Sequence, residues 1–523
     1  MIEDRMEDLN AEVTIVGAGP VGILLAILLG KQSKDVILID KWTEIYDRPR
    51  AVTMDAEVAR ILASLGIDCD TDPDFENHKE LYYWKNADLQ DLQIVDWKSL
   101  APSGWHVTYW FNQPQLEARL MEMAKALPSV RILRGWTAKK LAQDSDGVDL
   151  SIRDTETRQQ SQTIRSQFLV GADGANSFVR ESLGLKMVDK GYFFDWLILD
   201  MIPDENYTVS PAQWQLCGPR RPTTIVPGGP GRRRWEFMLL PGEVADTIAQ
   251  PESAWDLLEP WGLTPDNAQL ERSAVYQFQA KWAEGWVKDR CMIAGDAAHL
   301  MPPFAGEGMC AGLRDAVALG WRLTSILDGK LKPDVLLSYE SERMSHAQHY
   351  IQFSQDLGEI ICIADPEKAA ERDARMIADL VARNHEPITG DLVKLGPGLW
   401  CDTAGAGELS PQGVVTFAGK RDRFDQAVGI GWMILAFDTA TDGLLTDAQR
   451  QTFKNIGGRI LSVGPQGSGC GVIAEDEIYD TWRAETKANY AILRPDFYVA
   501  ATAQSDTQLR NCLDEILDKL GLS

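Results

Sequence analysis

Short apolar runs that end in glycine or aspartate recur along the chain. Three of them read Val-Thr-Ile-Val at 13–16, Phe-Leu-Val-Gly-Ala at 168–172 and Cys-Met-Ile-Ala-Gly at 291–295. Uninterrupted apolar runs of this length are typical of strands buried on both faces of a parallel sheet. After the first run, residues 23–29 are apolar on every side and predict a buried helix, and 36–39 predict the next strand. This pattern predicts an α/β fold.

A different pattern lies between residues 195 and 243. Four short segments rich in β-branched and aromatic residues predict a meander of strands at 196–199, 213–216, 223–226 and 235–239. Alternation along the last strand places Trp235, Phe237 and Leu239 on one face. Such an aromatic face forms either the floor of a pocket or ordinary core.

Helical spacing recurs in three segments after residue 305. We expect one long helix at 305–327, one or two helices at 338–382, and an amphipathic helix at 507–520 with leucines at 509, 513, 517 and 520. Between the second and third of these regions, Gly396, Pro397 and Gly398 mark a domain boundary.

Composition narrows the class of protein. Among 523 residues, 52 basic and 77 acidic side chains give a net charge of −25, which disfavours nucleic acid as a partner. The eight cysteines form no C-x-x-C pair, so neither a zinc site nor a dithiol redox centre is indicated. The N-terminus is acidic and lacks an apolar secretory segment, and the longest apolar run, 21–29, is too short to span a bilayer. We therefore expect a cytoplasmic protein with no metal and no membrane partner.

The first apolar run leads into a dinucleotide-binding fingerprint. Gly17 permits a tight turn, Gly19 lets backbone approach a pyrophosphate, and Gly22 lets the following helix pack on the strand. The N-terminus of that helix, which includes Pro20 and Val21, offers free N–H groups to phosphate. The second strand ends at Asp40, followed by Lys41, where an acidic residue is expected to bind a ribose hydroxyl. NAD and FAD share this fingerprint.

Two further motifs place glycine and aspartate at the carboxyl ends of the other two strands. They are Asp173-Gly174 and Gly295-Asp296. In open α/β sheets, ligands bind at the carboxyl ends of the strands, so three distant segments are expected to meet at one crevice. A carboxylate at Asp296 suits a ribityl hydroxyl, which donates hydrogen bonds. The three motifs together predict a pocket for one extended FAD molecule.

In this order, the three motifs resemble the fingerprints of the flavoprotein aromatic hydroxylases of the p-hydroxybenzoate hydroxylase fold. Further segments resemble one subgroup, the 3-(3-hydroxyphenyl)propionate hydroxylases and their relatives. These segments are 48–52, 113–117, 233–243, 306–316, 423–425 and 494–500. The resemblance covers nearly the whole chain.

The resemblance implies a three-domain architecture. A Rossmann-like FAD domain of the glutathione-reductase type, with a helical extension, would comprise 1–74, 107–187 and 288–395. An inserted substrate domain with a mixed β-sheet would comprise 75–106 and 188–287. Residues 396–523 would form a thioredoxin-like domain, and without a C-x-x-C pair its role would be structural or would serve assembly into a homodimer.

The resemblance also implies an activity, the ortho-hydroxylation of a small phenolic compound. The cofactors would be FAD, NADPH or NADH as cosubstrate, and O2, with a flavin C4a-hydroperoxide as the oxygen donor. A phenol titrates near ~10, so a positioned proton acceptor is required at neutral pH. A heteroaromatic or polycyclic polyketide-type phenol is an alternative substrate, and a non-catalytic FAD-binding scaffold is an alternative of another class.

Residue roles follow from these patterns and from the resemblance. For the cofactor we expect Gly17, Gly19, Pro20, Val21, Gly22, Asp40, Lys41, Arg50, Gln113, Asp173, Asp296, Pro303, Gly306, Gly308 and Met309. For the substrate ring we expect Trp214, Thr224, Val226, Trp235 and Phe237, and for catalysis Tyr276, Gln279 and Pro302. Asp173 would also bind the nicotinamide cosubstrate. His299, which lies within the third motif, is expected to have a structural role. The basic run 232–234 is either a solvated turn or an anchor for a substrate carboxylate.

The chain departs from the subgroup at two positions. Glu307 replaces the usual glutamine and Cys310 the usual asparagine, both on the turn and helix start that would face the flavin pyrimidine. A carboxylate there would oppose a flavin anion unless it is protonated or turned away. These two substitutions are the support for the scaffold alternative.

Overall fold

The structure, a computed structural model, describes residues 9–77, 80–390 and 393–522. The acidic N-terminal residues lie outside these ranges. Three large sheets organise the described chain, and the first two are built from the patterns above.

The first sheet brings the three motif strands side by side. Its order is Val287–Lys288, Cys291–Ile293, Ser161–Gly171, Leu9–Val16, Val36–Asp40 and Val130–Arg134, and the hairpin Trp136–Gln143 and Val148–Asp154 pairs onto Ser161–Gly171. Gly171 is in register with Val16 on one side and with Ile293 on the other, all in parallel. The predicted strands and their adjacency are confirmed, because parallel neighbours place their carboxyl ends, and so the three motifs, at one edge.

Helices cover this sheet. Pro20–Lys31 is almost fully buried and packs against the helices Gln113–Lys125 and Gly308–Leu327. A small sheet of Thr53–Asp55, Thr108–Phe111 and Phe75–Glu76, together with the helices Ala56–Ser64 and Phe178–Ser182, completes this part. The predicted all-apolar helix after the first strand is confirmed as buried.

The second sheet is mostly antiparallel. Its order is His299–Leu300, Ala268–Ala283, Met187–Pro203, Arg233–Met238, Thr223–Pro227, Trp214–Leu216, Tyr82–Lys85 and Asp91–Val95, and the pairing of Trp214–Leu216 with Tyr82–Lys85 is parallel. The four predicted strands of the meander are confirmed, and the mixed sheet is as expected. The short helices Ala245–Ile248 and Pro251–Leu258 cover one face. Apolar side chains of the opposite face pack on Leu357, Ile361 and Met376.

The helical region follows the expected periodicity. The long helix is Gly308–Leu327, and it begins three residues later than predicted because Pro303–Ala305 forms a 3₁₀ turn that ends at Gly306 with φ +71°. Leu336–Ile361 and Pro366–Ala382 are two separate helices, divided by a loop before the N-cap Asp365. No helix of the described ranges is long and apolar enough to cross a membrane.

The third sheet forms the C-terminal part. Its order is Lys420–Arg423, Val414–Phe417, Val472–Ala474, Arg459–Gly464, Met433–Phe437, Tyr490–Leu493 and Val499–Ala503, and its helices are Phe424–Val428, Asp447–Asn455, Ile478–Thr486 and Asp506–Lys519. In the last helix the predicted leucines at 509, 513 and 517 are buried, which confirms its amphipathic character.

Two buried ion networks attach this part to the rest of the chain. Arg494 donates to both carboxylate oxygens of Glu342 at 2.7 Å and also pairs with Asp496. Arg60 donates to Asp425 at 2.6 and 3.0 Å. Because buried charges are costly unless they are paired, these contacts hold the C-terminal part in one position.

Candidate active site

A cavity of about 880 Å³ lies where the carboxyl ends of the first sheet meet the second sheet. All three motifs border it, and so does one face of the second sheet. The sequence-based expectation that three distant segments share one crevice is thereby met.

The glycines of the first motif have different roles. Gly17 has φ +108°, and a Cβ there would lie 2.2 Å from the carbonyl oxygen of Ala172. A Cβ at Gly22 would lie 1.9 Å from the carbonyl oxygen of Gly17. By contrast, a Cβ at Gly19 would meet no protein atom within 4 Å. Gly17 and Gly22 therefore shape the turn, and Gly19 leaves open space toward the cavity.

The helix that follows begins at Pro20 and has no side-chain cap. Its first N–H groups are therefore available to a ligand, and Gly19, Pro20 and Val21 border the cavity. This is the arrangement that a pyrophosphate requires.

Asp40 lies at the end of its strand and does not line the cavity. Its two carboxylate oxygens accept backbone N–H bonds from Ala18 at 2.7 Å and from Trp42 at 2.8 Å. These bonds fix the orientation of the carboxylate, and each oxygen retains a lone pair for a ribose hydroxyl. Lys41 is exposed and lies over the Trp42 ring, outside the cavity.

Gln113 and Arg50 border the cavity from two other segments. The Gln113 carbonyl accepts a hydrogen bond from Ala51 N at 2.6 Å, and its amide donates to Glu117 at 2.5 Å. Arg50 Nη2 lies 3.7 Å from the same Glu117. Gln113 therefore holds the backbone beside Arg50 and leaves the half-exposed guanidinium to face the cavity.

The second motif reaches the cavity through other residues than expected. The Asp173 carboxylate accepts from Ser177 Oγ at 2.5 Å and from Val179 N at 3.1 Å, so it faces the short helix that follows rather than the cavity. The cavity is bordered instead by Gly174, by Asn176 and by Arg180, which donates to the carbonyl oxygens of Ala175 and Ala297. Sequence reasoning missed Arg180 as a site residue, although it lies within the motif.

In the third motif, Asp296 faces the cavity and His299 does not. The Asp296 side chain is open to the cavity, and desolvation by the surrounding protein raises its pKa, while the charges of His299 and Arg50 offset part of that shift. His299 Nε2 lies 2.7 Å from Asp315, which also accepts from Gly295 N at 3.0 Å and from Arg343. The expected structural role of His299 is confirmed, because it anchors the carboxylate that holds the motif backbone.

The start of the long helix also borders the cavity. Pro303, Gly306, Gly308 and Met309 line it, and the helix N-terminus has no side-chain cap, so its positive end is open. Pro302 is buried and does not line the cavity, so the structure gives its assignment as a catalytic residue no support. Pro302 precedes the 3₁₀ turn in extended backbone, and it is Met301 and Pro303 that border the space.

Glu307 is turned away from this helix start. Arg314 Nη1 donates to it at 2.8 Å, and the same guanidinium pairs with Glu57 at 2.6 Å and with Asp55. Cys310 is fully buried and does not border the cavity. The two departures from the subgroup therefore leave the helix N-terminus free to meet an anion, and the support for a non-catalytic scaffold disappears.

The second sheet contributes a polar row to the cavity wall. Adjacent strands bring Ile198, Glu236, Thr224 and Gln215 into register, and all four border the cavity. Thr224 Oγ1 donates to Gln215 Oε1 at 2.6 Å. Val226 and Tyr276 line the same wall, and Gln279 borders another part of the cavity, since alternation turns it to the other side of its strand. Sequence reasoning did not select Glu236 or Gln215.

Three expected substrate contacts lie on the wrong face. Trp214, Trp235 and Phe237 are buried in the apolar cluster that also contains Ala254 and Leu258 of the covering helix. The alternation itself was predicted correctly, but the aromatic face is core, and the residues between them face the cavity. The prediction that these three contact the substrate is wrong.

The basic run 232–234 does not offer a free cation to the cavity. Arg232 pairs with Glu271 at 3.3 Å, and Arg233 donates to the carbonyl oxygen of Ala212. Arg234 is buried, pairs with Asp200 at 2.7 Å, and donates to the carbonyl oxygens of Pro49 and Arg50. The run is thus neither a solvated turn nor a carboxylate anchor, because Arg234 links the second sheet to the loop that carries Arg50.

The residues at the cavity fit FAD. Gly19 leaves a cradle that a Cβ would partly fill, two uncapped helix N-termini face the space, and Asp296 offers a carboxylate to a hydroxyl-bearing chain. When bound, the flavin would accept hydride from a nicotinamide and supply electrophilic oxygen. The helix at Gly308 would stabilise negative charge on the ring, and the aromatic side chains of Trp97, Trp110 and Phe304, which line the cavity, would exclude water.

Comparison with known proteins agrees with this geometry. The FAD binding domain family matches residues 10–354, and the HcaD C-terminal domain matches residues 407–519. A probable NADH-specific resorcinol 4-hydroxylase of Rhodococcus jostii (strain RHA1) is 34% identical over 509 residues, covering 97% of this chain and 94% of that protein. A 3-(3-hydroxy-phenyl)propionate/3-hydroxycinnamic acid hydroxylase of Shigella sonnei (strain Ss046) is 29% identical, covering 98% of this chain and 95% of that protein.

Solved structures share the fold. The flavin-dependent monooxygenase PieE, in complex with FAD and substrate, has a TM-score of 0.79 at 20% identity, covering 99% of this chain and all of the other. Aklavinone-11 hydroxylase with FAD and aklavinone has a TM-score of 0.76 at 22% identity, covering 98% of this chain and all of the other.

The chain therefore belongs to the FAD-binding family, and its cofactor is FAD. Within that family it is a flavin-dependent aromatic hydroxylase, of the subgroup that contains the two relatives above.

Proposed function

We propose that the protein is an NADH-dependent FAD monooxygenase that adds oxygen ortho to the hydroxyl of a small, neutral phenol of the resorcinol type. The observation that carries this proposal is the charge of the cavity wall. The wall offers the carboxylate of Glu236 and the polar groups of Thr224 and Gln215. Such groups can form hydrogen bonds with the hydroxyls of a substrate, and a carboxylate repels a negatively charged substrate.

Most of the cations around the cavity are already paired, although Nε and Nη2 of Arg272 have no hydrogen-bond partner among the described residues. Arg234 pairs with Asp200, Arg180 donates to two carbonyl oxygens, and Lys281 pairs with Asp189 at 3.0 Å. Arg272 donates to the Pro49 carbonyl oxygen and packs 4.6 Å from the centre of the Tyr276 ring. Arg50 stands beside the cofactor-binding motifs. This arrangement supports a neutral substrate over one that carries a carboxylate.

Bulky aromatic side chains crowd the same wall. Tyr82 stacks on Trp97 with ring centres 4.1 Å apart, and Phe304 packs edge-on against Phe278 at 5.4 Å. These rings favour a single-ring substrate over a polycyclic one. The resorcinol hydroxylase named above is a relative over nearly the whole length, which supports the same substrate class and NADH as the cosubstrate.

The division into domains is part of the proposal. We assign 1–74, 107–187 and 288–395 to FAD binding, 75–106 and 188–287 to substrate binding, and 396–523 to a thioredoxin-like domain. The pairing of Tyr82–Lys85 with Trp214–Leu216 supports the assignment of the earlier segment to the substrate domain. We also propose a cytoplasmic location, which the eight free cysteines support.

Oxidation of NADH by the purified yellow holoprotein tests the function. Resorcinol, phenol, 3-(3-hydroxyphenyl)propionate and a polycyclic phenol would be compared with NADH and with NADPH, and product oxygen would be traced with labelled O2. We expect resorcinol to stimulate NADH oxidation most and to gain one labelled oxygen beside a hydroxyl. A preference for the carboxylated phenol, or no labelled product from any phenol, would overturn the proposal.

A further inference from the structure

Glu236 presents an unsatisfied carboxylate to the cavity. Its side chain is 14% exposed, and Arg234 Nη1 lies 3.7 Å from its Oε1, beyond hydrogen-bond distance. The Arg234 guanidinium is held there because it donates to Asp200 and to the carbonyl oxygens of Pro49 and Arg50. No residue of the described chain donates a hydrogen bond to the Glu236 side chain. A largely buried acceptor in this state is costly unless a ligand satisfies it.

The other polar groups in the same row are already satisfied. Thr224 Oγ1 donates to Gln215 Oε1 at 2.6 Å, and Gln215 Nε2 donates to the Thr223 carbonyl oxygen at 3.1 Å. Among the groups of this row, the Glu236 carboxylate is therefore the one that still needs a donor. A phenolic hydroxyl is such a donor.

We propose that Glu236 is the catalytic residue that accepts the proton of the substrate hydroxyl during hydroxylation. This inference rests on the proposed function and deepens it, because it names the group that activates the ring.

The step balances as a proton transfer. The carboxylate first accepts a hydrogen bond from the hydroxyl, which raises the electron density of the ring. As the ortho carbon bonds to the electrophilic oxygen, the O–O bond of the oxygen donor breaks and its electron pair stays with the donor. At the same time the substrate O–H bond breaks, the Oε–H bond of Glu236 forms, and the O–H electron pair becomes the carbonyl of a dienone. The ring carbon then loses its hydrogen as a proton, which neutralises the negative oxygen left on the donor, while Glu236 returns its own proton to the carbonyl oxygen. Glu236 ends as it began.

The charges around Glu236 keep it available as a base. Burial raises the pKa of Glu236, the guanidinium charges of Arg234 and Arg272 oppose that shift, and the Asp200 carboxylate adds to it. Arg234 lies on the same strand, Asp200 on Met187–Pro203, and Arg272 on Ala268–Ala283. Tyr82, on the strand Tyr82–Lys85, faces it from the other side, and the Glu236 charge contributes to the raised pKa of that phenol.

The variant Glu236→Gln tests the inference, because it keeps the shape and removes the basic oxygen. We expect kcat to fall about 100-fold, and the loss of rate toward acid pH to disappear from the profile of kcat/KM. Glu271→Gln is the matched control, since Glu271 lies on the same sheet but pairs with Arg232 outside the cavity wall. The control is expected to keep the rate and the pH profile of the parent.

Binding gives a readout that a purely structural role would not change. Resorcinol and its dimethyl ether would be titrated into the oxidised holoprotein, with the flavin absorbance as the signal. The parent should bind resorcinol at least about tenfold more tightly than the ether. Glu236→Gln should reduce this discrimination, because a neutral amide oxygen accepts a weaker hydrogen bond from the hydroxyl than a carboxylate does, and the ether donates none.

The outcomes separate the two proposals. If the parent oxidises no phenol, the proposed function fails. If the parent hydroxylates resorcinol and Glu236→Gln keeps its rate, pH profile and discrimination, the role of Glu236 is overturned. Should the glutamine variant fail to bind FAD, Glu236→Asp decides instead, since retention of the acid limb supports a basic carboxylate at this position and its absence contradicts one.

Discussion

Arg314 Nη1 lies 2.8 Å from the carboxylate of Glu307, and this contact turns Glu307 away from the helix end that faces the cofactor cavity. The same guanidinium also pairs with Glu57 and Asp55, so one positive charge serves three carboxylates. Burial and the neighbouring charge of Asp55 raise the pKa of Glu307 from 4.5 to about 7, although Arg314 opposes the shift. The cluster therefore holds a proton under mildly acidic conditions.

This proton makes stability depend on pH. Because the folded state raises the pKa of Glu307, the protonated form stabilises the fold, and that contribution is lost as pH rises from 4.5 through about 7. The variant Glu307→Gln should have the same free energy of unfolding as the parent near pH 4.5. Above about pH 7 it should be more stable than the parent, by on the order of 3 kcal/mol at most. Thermal unfolding of both proteins across this pH window measures the difference. A constant difference at every pH would contradict the assignment.

The glycines of the first motif should separate into two classes. Gly22→Ala places a Cβ 1.9 Å from the Gly17 carbonyl oxygen, so it should destabilise the apoprotein by about 3 kcal/mol. Gly19 has φ −83° and open space at its Cβ, so Gly19→Ala should leave apoprotein stability unchanged and weaken FAD binding at least about tenfold. Unfolding of the apoproteins and titration with FAD give both quantities. Equal losses of stability in the two variants would show that Gly19 is also structural.

The buried ion pairs around Glu342 should contribute much of the free energy that holds the C-terminal part against the rest of the chain. Arg494→Met leaves the carboxylates of Glu342 and Asp496 with less compensation in a fully buried setting, and should cost about 3–5 kcal/mol. Lys519→Met, which removes an exposed pair with Glu515, should cost roughly 0–1 kcal/mol. Urea unfolding of both variants compares them. Similar small costs would mean that the buried pair contributes no more than the surface one.

The two faces of the second sheet should respond differently to substitution. Trp235→Phe changes a side chain that is 0% exposed and packed in the apolar cluster, so it should lower stability by about 0.5–3 kcal/mol and leave KM for the phenol unchanged. Thr224→Val alters the cavity wall and should raise KM about tenfold, since the Gln215 carbonyl loses its donor. Steady-state kinetics and thermal unfolding distinguish them. A large change of KM in the Trp235 variant would place that ring in the site.

Local patterns predicted the motif strands, the meander and four helical regions, because these elements depend on near neighbours in sequence. The strand predicted at 13–16, the buried helix after it and the amphipathic helix at the C-terminus all follow from hydrophobic period and turn residues. The first residue of the long helix was harder to predict from the sequence, since the 3₁₀ turn at Pro303–Ala305 depends on how the loop packs.

The sequence by itself determined that three glycine–aspartate motifs follow strands, that these strands belong to one parallel sheet, and that a cofactor with a pyrophosphate binds at their ends. It also determined that the residues of the strand Arg233–Met238 alternate between two faces. Period alone, however, cannot tell which face meets a cavity and which meets a helix, because both faces are buried. Only the tertiary structure placed Glu236 in the cavity and Trp235 in the core. It likewise decided that Asp173 faces its own helix and that Glu307 faces Arg314, since a side chain turns toward partners that are distant in sequence and brought near by the packing of the sheets.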